Sequence, residues 1–200
     1  MDRRISSTVS YYDKNAQSWA DSHGGSDTDS WWAEEMRTFH DFLPSGSVIE
    51  IGAGNGKDAQ ALIKLGYDYT GTDASIGMLK LAEERNPSAT FIQRYVHELD
   101  PSIGIFDGFW ASAVLLHIPR EQIEDSLRVI SSLLVDNGVG FITMREGEGG
   151  RIDKGKGRIF TFYSEEEFTM HLNNTGFTVL KLEKRITPEK SWLIYYVKKC

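Results

Sequence analysis

The segment of the sequence most suggestive of chemistry is a glycine-rich loop between an apolar run and a helix-like run, "VIEIGAGNGKDAQAL" at residues 48–62. Gly52, Gly54 and Gly56 occupy alternate positions, which would let the backbone turn sharply and approach a ligand closely. A helix that follows such a loop offers backbone N–H groups without helical partners. The segment predicts a ligand-binding loop; the alternative is a tight strand-to-helix turn that binds nothing.

Two features of this loop discriminate between possible ligands. A dinucleotide fingerprint has the pattern G-x-G-x-x-G, and Lys57 occupies the place of its third glycine. Glu50, two residues before the first glycine, would repel a pyrophosphate and suits a ligand with a cationic end. The alternative for Glu50 is a hydrogen bond to the loop amides. The loop therefore favours a cationic nucleoside over a dinucleotide.

The helices and strands that must position this loop are predicted from hydrophobic periodicity and from helix caps. A short helix and then a loop are expected within residues 1–30. Helices are predicted at 31–43, 58–66, 76–86, 119–135 and 165–175, and strands at 47–52, 67–73, 89–96, 106–116, 139–146, 177–186 and 191–199. Ser75 is predicted to cap the third of these helices, and Ser164 with Glu167 to form a capping box.

Strands that alternate with helices indicate right-handed crossovers and parallel pairing, whereas the last two strands have no helix between them. We therefore predict an α/β fold with a mostly parallel seven-stranded sheet, an antiparallel C-terminal hairpin and helices on both faces. In such a sheet, ligands bind beyond the carboxyl ends of the strands, which is where the glycine loop would lie.

Composition narrows the class of protein. The chain has 200 residues, 40% of them hydrophobic, and a formal net charge of −7. An acidic surface makes nucleic acid an unlikely main partner, although residues 145–158 leave a local RNA contact open. The apolar stretches are too short to span a membrane, the histidines have no metal-ligand spacing, and the single Cys200 fits a reducing, cytoplasmic compartment.

Three motifs within residues 45–145 resemble those of the class I methyltransferases that use S-adenosylmethionine: "EIGAGNG", "YTGTDASIGMLKLAEER" and "FDGFWASAVLLHIPREQ". The resemblance implies a Rossmann-like methyltransferase fold, S-adenosylmethionine as cofactor and S-adenosylhomocysteine as product. It divides a single domain of 1–200 into N-terminal lid helices (1–43), a cofactor-binding core (45–145), an acceptor-side loop (146–163) and a C-terminal helix with its hairpin (164–200).

The resemblance also implies roles for individual residues. Asp73, 19 residues after Gly54, would hold the ribose hydroxyls. Ala74 and Met78 would flank the adenine, and the backbone around Val96 would bind its edge. The complete set of expected cofactor contacts is Tyr12, Glu50, Gly52, Ala53, Gly54, Gly56, Asp58, Asp73, Ala74, Met78, Val96 and Ala111. Simpler alternatives are a helix cap for Asp73, a helix-dipole contact for Asp58 and core packing for Met78.

The two ends of the chain carry a looser likeness to small bacterial members of the family. "YYDKNAQSWA" resembles their N-terminal helix, which covers the cofactor, so Tyr12 is either part of a lid or part of the core. The segment after the fifth strand resembles an insert that shapes the acceptor site. Its expected acceptor-binding residues are Arg145, Glu146, Arg158 and Tyr163, with solvated surface positions as the alternative.

His117 follows the fourth strand, where catalytic groups of this architecture lie. A histidine there is either a general base or a hydrogen-bond partner of a loop. The predicted function is methyl transfer to a small-molecule acceptor by in-line displacement, catalysed by a monomer or homodimer. The alternatives are a tRNA-modifying methyltransferase, a non-catalytic S-adenosylmethionine-binding module and a nicotinamide-dependent oxidoreductase.

Overall fold

The computed structural model describes residues 2–23 and 32–200, so the predicted loop at 24–30 lies outside the described residues. Its helices are α1 (Arg3–His23), α2 (Ala33–Phe42), α3 (Lys57–Lys64), α4 (Ile76–Arg85), α5 (Ile123–Ser132) and α6 (Glu165–Asn174). Its strands are β1 (Ser47–Ile51), β2 (Asp68–Asp73), β3 (Thr90–Gln93), β4 (Phe106–Ala111), β5 (Leu134–Arg145), β6 (Gly150–Ile152), β7 (Ile159–Thr161), β8 (Phe177–Thr187) and β9 (Lys190–Lys199). No helix in the described ranges is both long enough and apolar enough to cross a membrane.

Seven strands form one sheet in the order β3-β2-β1-β4-β5-β9-β8, which confirms the predicted architecture. The strands β1 to β5 pair in parallel, and β9 pairs antiparallel with both β5 and β8. The carboxyl ends of β1 to β5 therefore share one edge of the sheet. Because β9 runs the other way, Trp192 near its start pairs with Arg145 at the end of β5 and lies at the same edge.

Side chains alternate along the buried strands and supply a core on each face of the sheet. Val48 packs on one face with Met36 and Phe39 of α2, and Ile49 packs on the other face with α5 and α6. Burial of each large apolar side chain stabilises the folded state by about 1.5–3 kcal/mol. The helix α2 thus packs on the sheet, and the prediction that both N-terminal helices form a lid is wrong for α2.

Two element boundaries differ from the predictions for physical reasons. The predicted helix at 119–135 is shorter, because a 3₁₀ turn at Arg120–Gln122 precedes α5, and the chain joins the sheet as early as Leu134, which pairs with Phe106 of β4. The strand β3 ends at Gln93, and the last bond that joins it to β2 runs from Arg94 N–H to the carbonyl oxygen of Asp73 over 3.0 Å.

The segment predicted as a loop at 146–163 contains an antiparallel hairpin, β6–β7, in which Gly150 pairs with Thr161. The predicted caps form in part. Ser75 Oγ accepts from Met78 N at 3.2 Å, and Ser164 Oγ accepts from Glu167 N at 3.2 Å. The carboxylate of Glu167 forms an ion pair with Arg120. The reciprocal half of the predicted capping box is therefore replaced by a tertiary contact.

Candidate functional site

A cavity of about 630 Å³ lies at the carboxyl edge of the sheet. Its wall extends from the residues that follow β3 to Trp192 on β9, across five strand spacings. At about 4.8 Å per spacing, this corresponds to about 24 Å along the edge. The helix α1 contributes one face to the wall through Ile5, Thr8, Tyr12, Trp19 and His23. The volume and length suit a small molecule with a second ligand beside it.

Within the glycine loop, Gly54 is the position open to this cavity. Its φ is +54°, and a Cβ built on it meets no heavy atom within 4 Å. Gly52 also lines the cavity, next to Ala53, and a Cβ on it would lie 2.5 Å from Val114. The predicted site residue Gly56 is not among the described lining residues. A Cβ there would lie 2.9 Å from Ala82 Cα, so Gly56 permits close contact between α3 and α4.

Asp73 at the end of β2 joins the glycine loop to the next helix. Its Oδ2 accepts from Gly54 N at 2.9 Å, and its Oδ1 accepts from Ser75 N at 2.8 Å. Burial raises the pKa of the Asp73 carboxyl above its ordinary value. Each carboxylate oxygen has a second acceptor direction, so Asp73 can serve the backbone and a hydroxyl-bearing ligand together.

Two further carboxylates lie in the same part of the cavity wall. Glu50, 2% exposed, accepts from the hydroxyl of Tyr69, and not from the loop amides. Burial and the nearby charges of Asp58 and Asp73 raise the pKa of Glu50 well above its ordinary value. Asp58 Oδ2 accepts from Trp110 Nε1 at 3.0 Å. In the described ranges no three His, Cys, Asp or Glu side chains form a group that could hold a metal ion.

The wall at the β3 end contains most of the residues expected around an adenine. Ala74, Met78 and Val96 line the cavity there, and Met78 is only 2% exposed. Arg94, Tyr95 and His97, which were not predicted to bind, line it as well. The expected contact Ala111 is fully buried within β4 and is not among the described lining residues. The residues that follow it, Ser112 to Val114, take its place.

His117 connects three parts of the cavity wall. Its Nδ1 must donate to the carbonyl oxygen of Ile159 on β7, 2.6 Å away, because a carbonyl can only accept. In the neutral ring Nε2 then accepts from the hydroxyl of Tyr12 on α1, at 2.9 Å. Burial lowers the pKa of His117 to about 4. With both nitrogens engaged and a lowered pKa, His117 is better suited to hold Tyr12 and β7 than to act as the general base predicted from sequence.

This pairing predicts a specific loss of stability in acid. The folded-state pKa of His117 lies near 4, below the ordinary 6.5, so its contribution is complete above pH 6.5 and is lost as the pH falls towards 4. We expect the unfolding free energy of the wild type to fall by about 2 kcal/mol more than that of His117→Gln between pH 7 and pH 4.5. Urea titrations at the two pH values measure this difference, and equal losses would contradict it.

Two of the four predicted acceptor-binding residues are engaged elsewhere. Tyr163 is fully buried in the core with Phe168, so the prediction that it contacts an acceptor is wrong. Glu146 accepts from Lys184 Nζ at 2.7 Å and from Ser191 Oγ at 2.5 Å, outside the described cavity wall. Glu146 and Tyr163 also pair with each other in an isolated parallel bridge, so both are engaged in the framework behind the cavity.

The other two predicted acceptor-binding residues are Arg145 and Arg158, which lie behind the residues that line the cavity. The guanidinium of Arg145 lies 5.4 Å from the centre of the Trp192 ring. That of Arg158 lies 4.5 Å from the centre of the Tyr11 ring and pairs with Asp153 at 2.7 Å. Neither arginine is among the described lining residues, but each lies near an aromatic ring that is: Trp192 for Arg145, and Tyr12, whose ring centre is 5.8 Å away, for Arg158.

The sequence patterns did not assign the aromatic end of the cavity to the site. Trp32 and Trp192 line it, together with the turn at 187–190 between β8 and β9. Trp32 is 6% exposed, belongs to the core cluster with Met36 and Phe39, and also lines the cavity. Trp19 on α1 lines the cavity as well, and it lies within the segment "YYDKNAQSWA" that resembles the lid helix of the family.

Comparison with known proteins adds independent evidence. A family model described as a methyltransferase domain matches residues 48–138. The demethylmenaquinone methyltransferase of Paenarthrobacter aurescens is 32% identical over 84 residues, which are 41% of this chain and 33% of that protein. The chain matches between a third and about half of the length of its curated relatives, 33% to 54%.

Solved structures share the fold at low identity. The 1,6-didemethyltoxoflavin-N1-methyltransferase of Burkholderia thailandensis, with bound 1,6-didemethyltoxoflavin and S-adenosylhomocysteine, has a TM-score of 0.79 and 22% identity over 97% of this chain and 88% of its own. The magnesium protoporphyrin IX methyltransferase of Synechocystis PCC 6803, with bound S-adenosylmethionine, has a TM-score of 0.76 and 16% identity over 100% and 99%. Residues 48–138 thus match a methyltransferase domain, and the sheet order and the glycine loop agree with the Rossmann-like fold of S-adenosylmethionine-dependent methyltransferases.

Proposed function

We propose that the protein transfers a methyl group from S-adenosylmethionine to a small-molecule acceptor. One observation carries the proposal: the open space at Gly54 lies in the same cavity as the carboxylates of Glu50, Asp58 and Asp73. Such a place accommodates a ligand close to the backbone and stabilises positive charge on it. A pyrophosphate there would add negative charge beside three carboxylates, which argues against a nicotinamide dinucleotide.

The residues present fit S-adenosylmethionine. Asp73 would bind the ribose hydroxyls, while Ala74, Met78 and the backbone at Val96 would surround the adenine. Asn55 in the glycine loop lines the cavity, is 4% exposed, and has a buried Nδ2 with no protein partner, so it can donate to a ligand. When bound, S-adenosylmethionine would supply an electrophilic sulfonium methyl group for in-line transfer to a lone pair of the acceptor, with S-adenosylhomocysteine as the leaving group.

The contribution of the protein is alignment and exclusion of water. The helix α1 covers the cavity and is held there by Tyr12 on His117 and by Asp13, whose Oδ1 accepts from Ser75 Oγ at 2.7 Å and Gly77 N at 3.0 Å. Correct alignment of two reactants can lower a barrier by about 7–11 kcal/mol. No dedicated base is needed for an acceptor that is already a thiolate, an amine or a carboxylate, which agrees with the engaged state of His117.

A small acceptor is favoured by the enclosed shape of the site and by the relatives. The enzymes named above act, by their names, on a toxoflavin precursor, a magnesium porphyrin and demethylmenaquinone. The cavity is walled by α1 and by the turn at 187–190, and the net charge of −7 opposes a polyanionic partner. A tRNA base is therefore the second candidate, to be separated by experiment.

Incubation with methyl-labelled S-adenosylmethionine tests this function. We expect the wild type to label a component of a metabolite extract that passes a small-pore filter, and not purified total tRNA. Gly54→Leu, which fills the predicted cofactor space, serves as the inactive control. Label found only in tRNA would contradict the small-molecule acceptor. Binding of S-adenosylhomocysteine without transfer to either fraction would indicate a non-catalytic binding module.

A further inference from the structure

The cavity continues beyond the part that a nucleoside would fill. In the sheet order β1-β4-β5-β9, the strand β9 lies three spacings from the glycine loop, which corresponds to about 14 Å. Trp192 on β9 lines this far end together with Trp32 and the turn at 187–190. If the nucleoside lies along β1 to β3, as the proposed function requires, the acceptor must approach from the β9 side.

The two indoles at this end are held in fixed orientations. The ring centres of Trp32 and Trp192 lie 5.9 Å apart, edge to face at 83°. The guanidinium of Arg145 lies 5.4 Å from the centre of the Trp192 ring, and that of Arg185 lies 5.0 Å from the centre of the Trp32 ring. Arg185 is in turn paired with the carboxylate of Glu35. Rings held on this many sides form a rigid surface for a ligand.

Trp192 differs from the other large side chains of β9 in its exposure. Leu193 to Val197 are buried, whereas Trp192 keeps part of its surface exposed at the cavity. The charges nearest to it along the chain, Glu189 and Lys190, are exposed on the turn, and Arg145 lies against the ring itself. The charged groups nearest the two indoles, Arg145 and the Arg185–Glu35 pair, are not among the described lining residues, so the rings and the exposed turn at 187–190 form the surface at this end.

We propose that the methyl acceptor is a flat, conjugated ring system that packs against the indole of Trp192, with Trp32 as the supporting wall. The proposal rests on the proposed function and specifies the acceptor class for the same site. Aromatic rings pack favourably in offset or edge-to-face arrangements with centres 4.5–7 Å apart, the same range in which the indoles already hold each other. Trp192 is then a specificity-determining residue.

The labelled product from a metabolite extract identifies the acceptor class directly. We expect its chromatographic peak to absorb in the near ultraviolet or visible range, as a conjugated ring does. With the purified acceptor, we expect Trp192→Leu to raise the acceptor KM at least about tenfold, while Trp192→Phe, which keeps an aromatic face, stays within about threefold of the wild type. The KM for S-adenosylmethionine should change little in both variants.

Two results would overturn this inference: a labelled product without a conjugated ring, or equal acceptor KM values for Trp192→Leu and Trp192→Phe. Calorimetry with S-adenosylhomocysteine accompanies each variant and shows whether the fold and the cofactor site are intact. Absence of label transfer by a wild type that binds S-adenosylhomocysteine would refute catalysis itself, and with it the existence of any acceptor. Failure of the proposed function is thereby distinguishable from failure of the acceptor assignment.

Discussion

Gly54→Leu is expected to lower the affinity for S-adenosylhomocysteine by at least about 100-fold, which corresponds to about 2.7 kcal/mol. The space into which a side chain at this position would extend is empty, with no heavy atom within 4 Å of a built Cβ. On the proposed function, that space belongs to the ligand. The leucine would therefore compete with the ligand directly, and calorimetric titration measures the loss.

The chain offers a matched control in Gly66, beyond the end of α3. It also has a left-handed φ, +92°, and a Cβ there also meets nothing within 4 Å, but Gly66 is not among the described residues of the cavity wall. Both leucine variants should be destabilised by about 1–2 kcal/mol for their backbone conformation. Only Gly54→Leu should lose binding; equal affinities in the two variants would show that the ligand lies elsewhere.

Asp73→Ala is expected to lower the same affinity by about 100-fold. Hydrogen bonds to a charged group contribute about 1.5–3 kcal/mol each, and the carboxylate would accept from two ribose hydroxyls. The substitution also removes the acceptors of Gly54 N and Ser75 N, so its thermal unfolding must be measured with its binding. Asp73→Asn keeps the shape of the side chain and one oxygen, so it should be more stable than Asp73→Ala. It should still bind S-adenosylhomocysteine at least about tenfold more weakly than the wild type.

Asp68 provides the comparison on the same strand. It is exposed at the start of β2, at the opposite edge of the sheet from Asp73. Asp68→Ala should leave the affinity for S-adenosylhomocysteine unchanged within about twofold, which would exclude a general effect of lost negative charge. Undiminished binding by folded Asp73→Asn and Asp73→Ala would mean that the nucleoside is held by another part of the chain.

Local sequence signals anticipated the β1 to β4 half of the cavity. The glycines after β1 and the acid at the end of β2 are close in sequence to the strands that position them, and parallel strands bring their carboxyl ends to one edge. Glu50 and Gly54 could therefore be located from the loop pattern, and Asp73 from its place in a motif that resembles the methyltransferase family. The parallel pairing within the sheet and its antiparallel C-terminal hairpin followed from the alternation of strands and helices and from the missing helix between β8 and β9.

The β9 half was not anticipated, because its contacts join distant parts of the chain. Trp192 reads as an ordinary strand residue, and only the antiparallel pairing with β5 places it beside the cavity. Tyr163 shows the opposite error. It lies in a segment that resembles an acceptor-binding insert, yet it is buried beside Phe168, because α6 packs on the sheet immediately after it. Tertiary packing therefore determines both the position of Trp192 beside the cavity and the burial of Tyr163.

The role of His117 also depends on long-range contacts. Its position after β4 suggested a base, but its two ring nitrogens bond to Tyr12 and Ile159, which are 105 and 42 residues away in the sequence. No local pattern could reveal these partners. These two hydrogen bonds hold α1 and the β6–β7 hairpin at the end of the fourth strand. They therefore keep α1 in place over the cavity.

The most direct test of the whole account is calorimetric titration of the wild-type protein with S-adenosylhomocysteine and, separately, with NAD. A site that combines a bare backbone at Gly54 with the carboxylates of Glu50, Asp58 and Asp73 should bind S-adenosylhomocysteine at one site per chain and give no detectable heat with NAD. Saturable binding of NAD with no binding of S-adenosylhomocysteine would contradict the account.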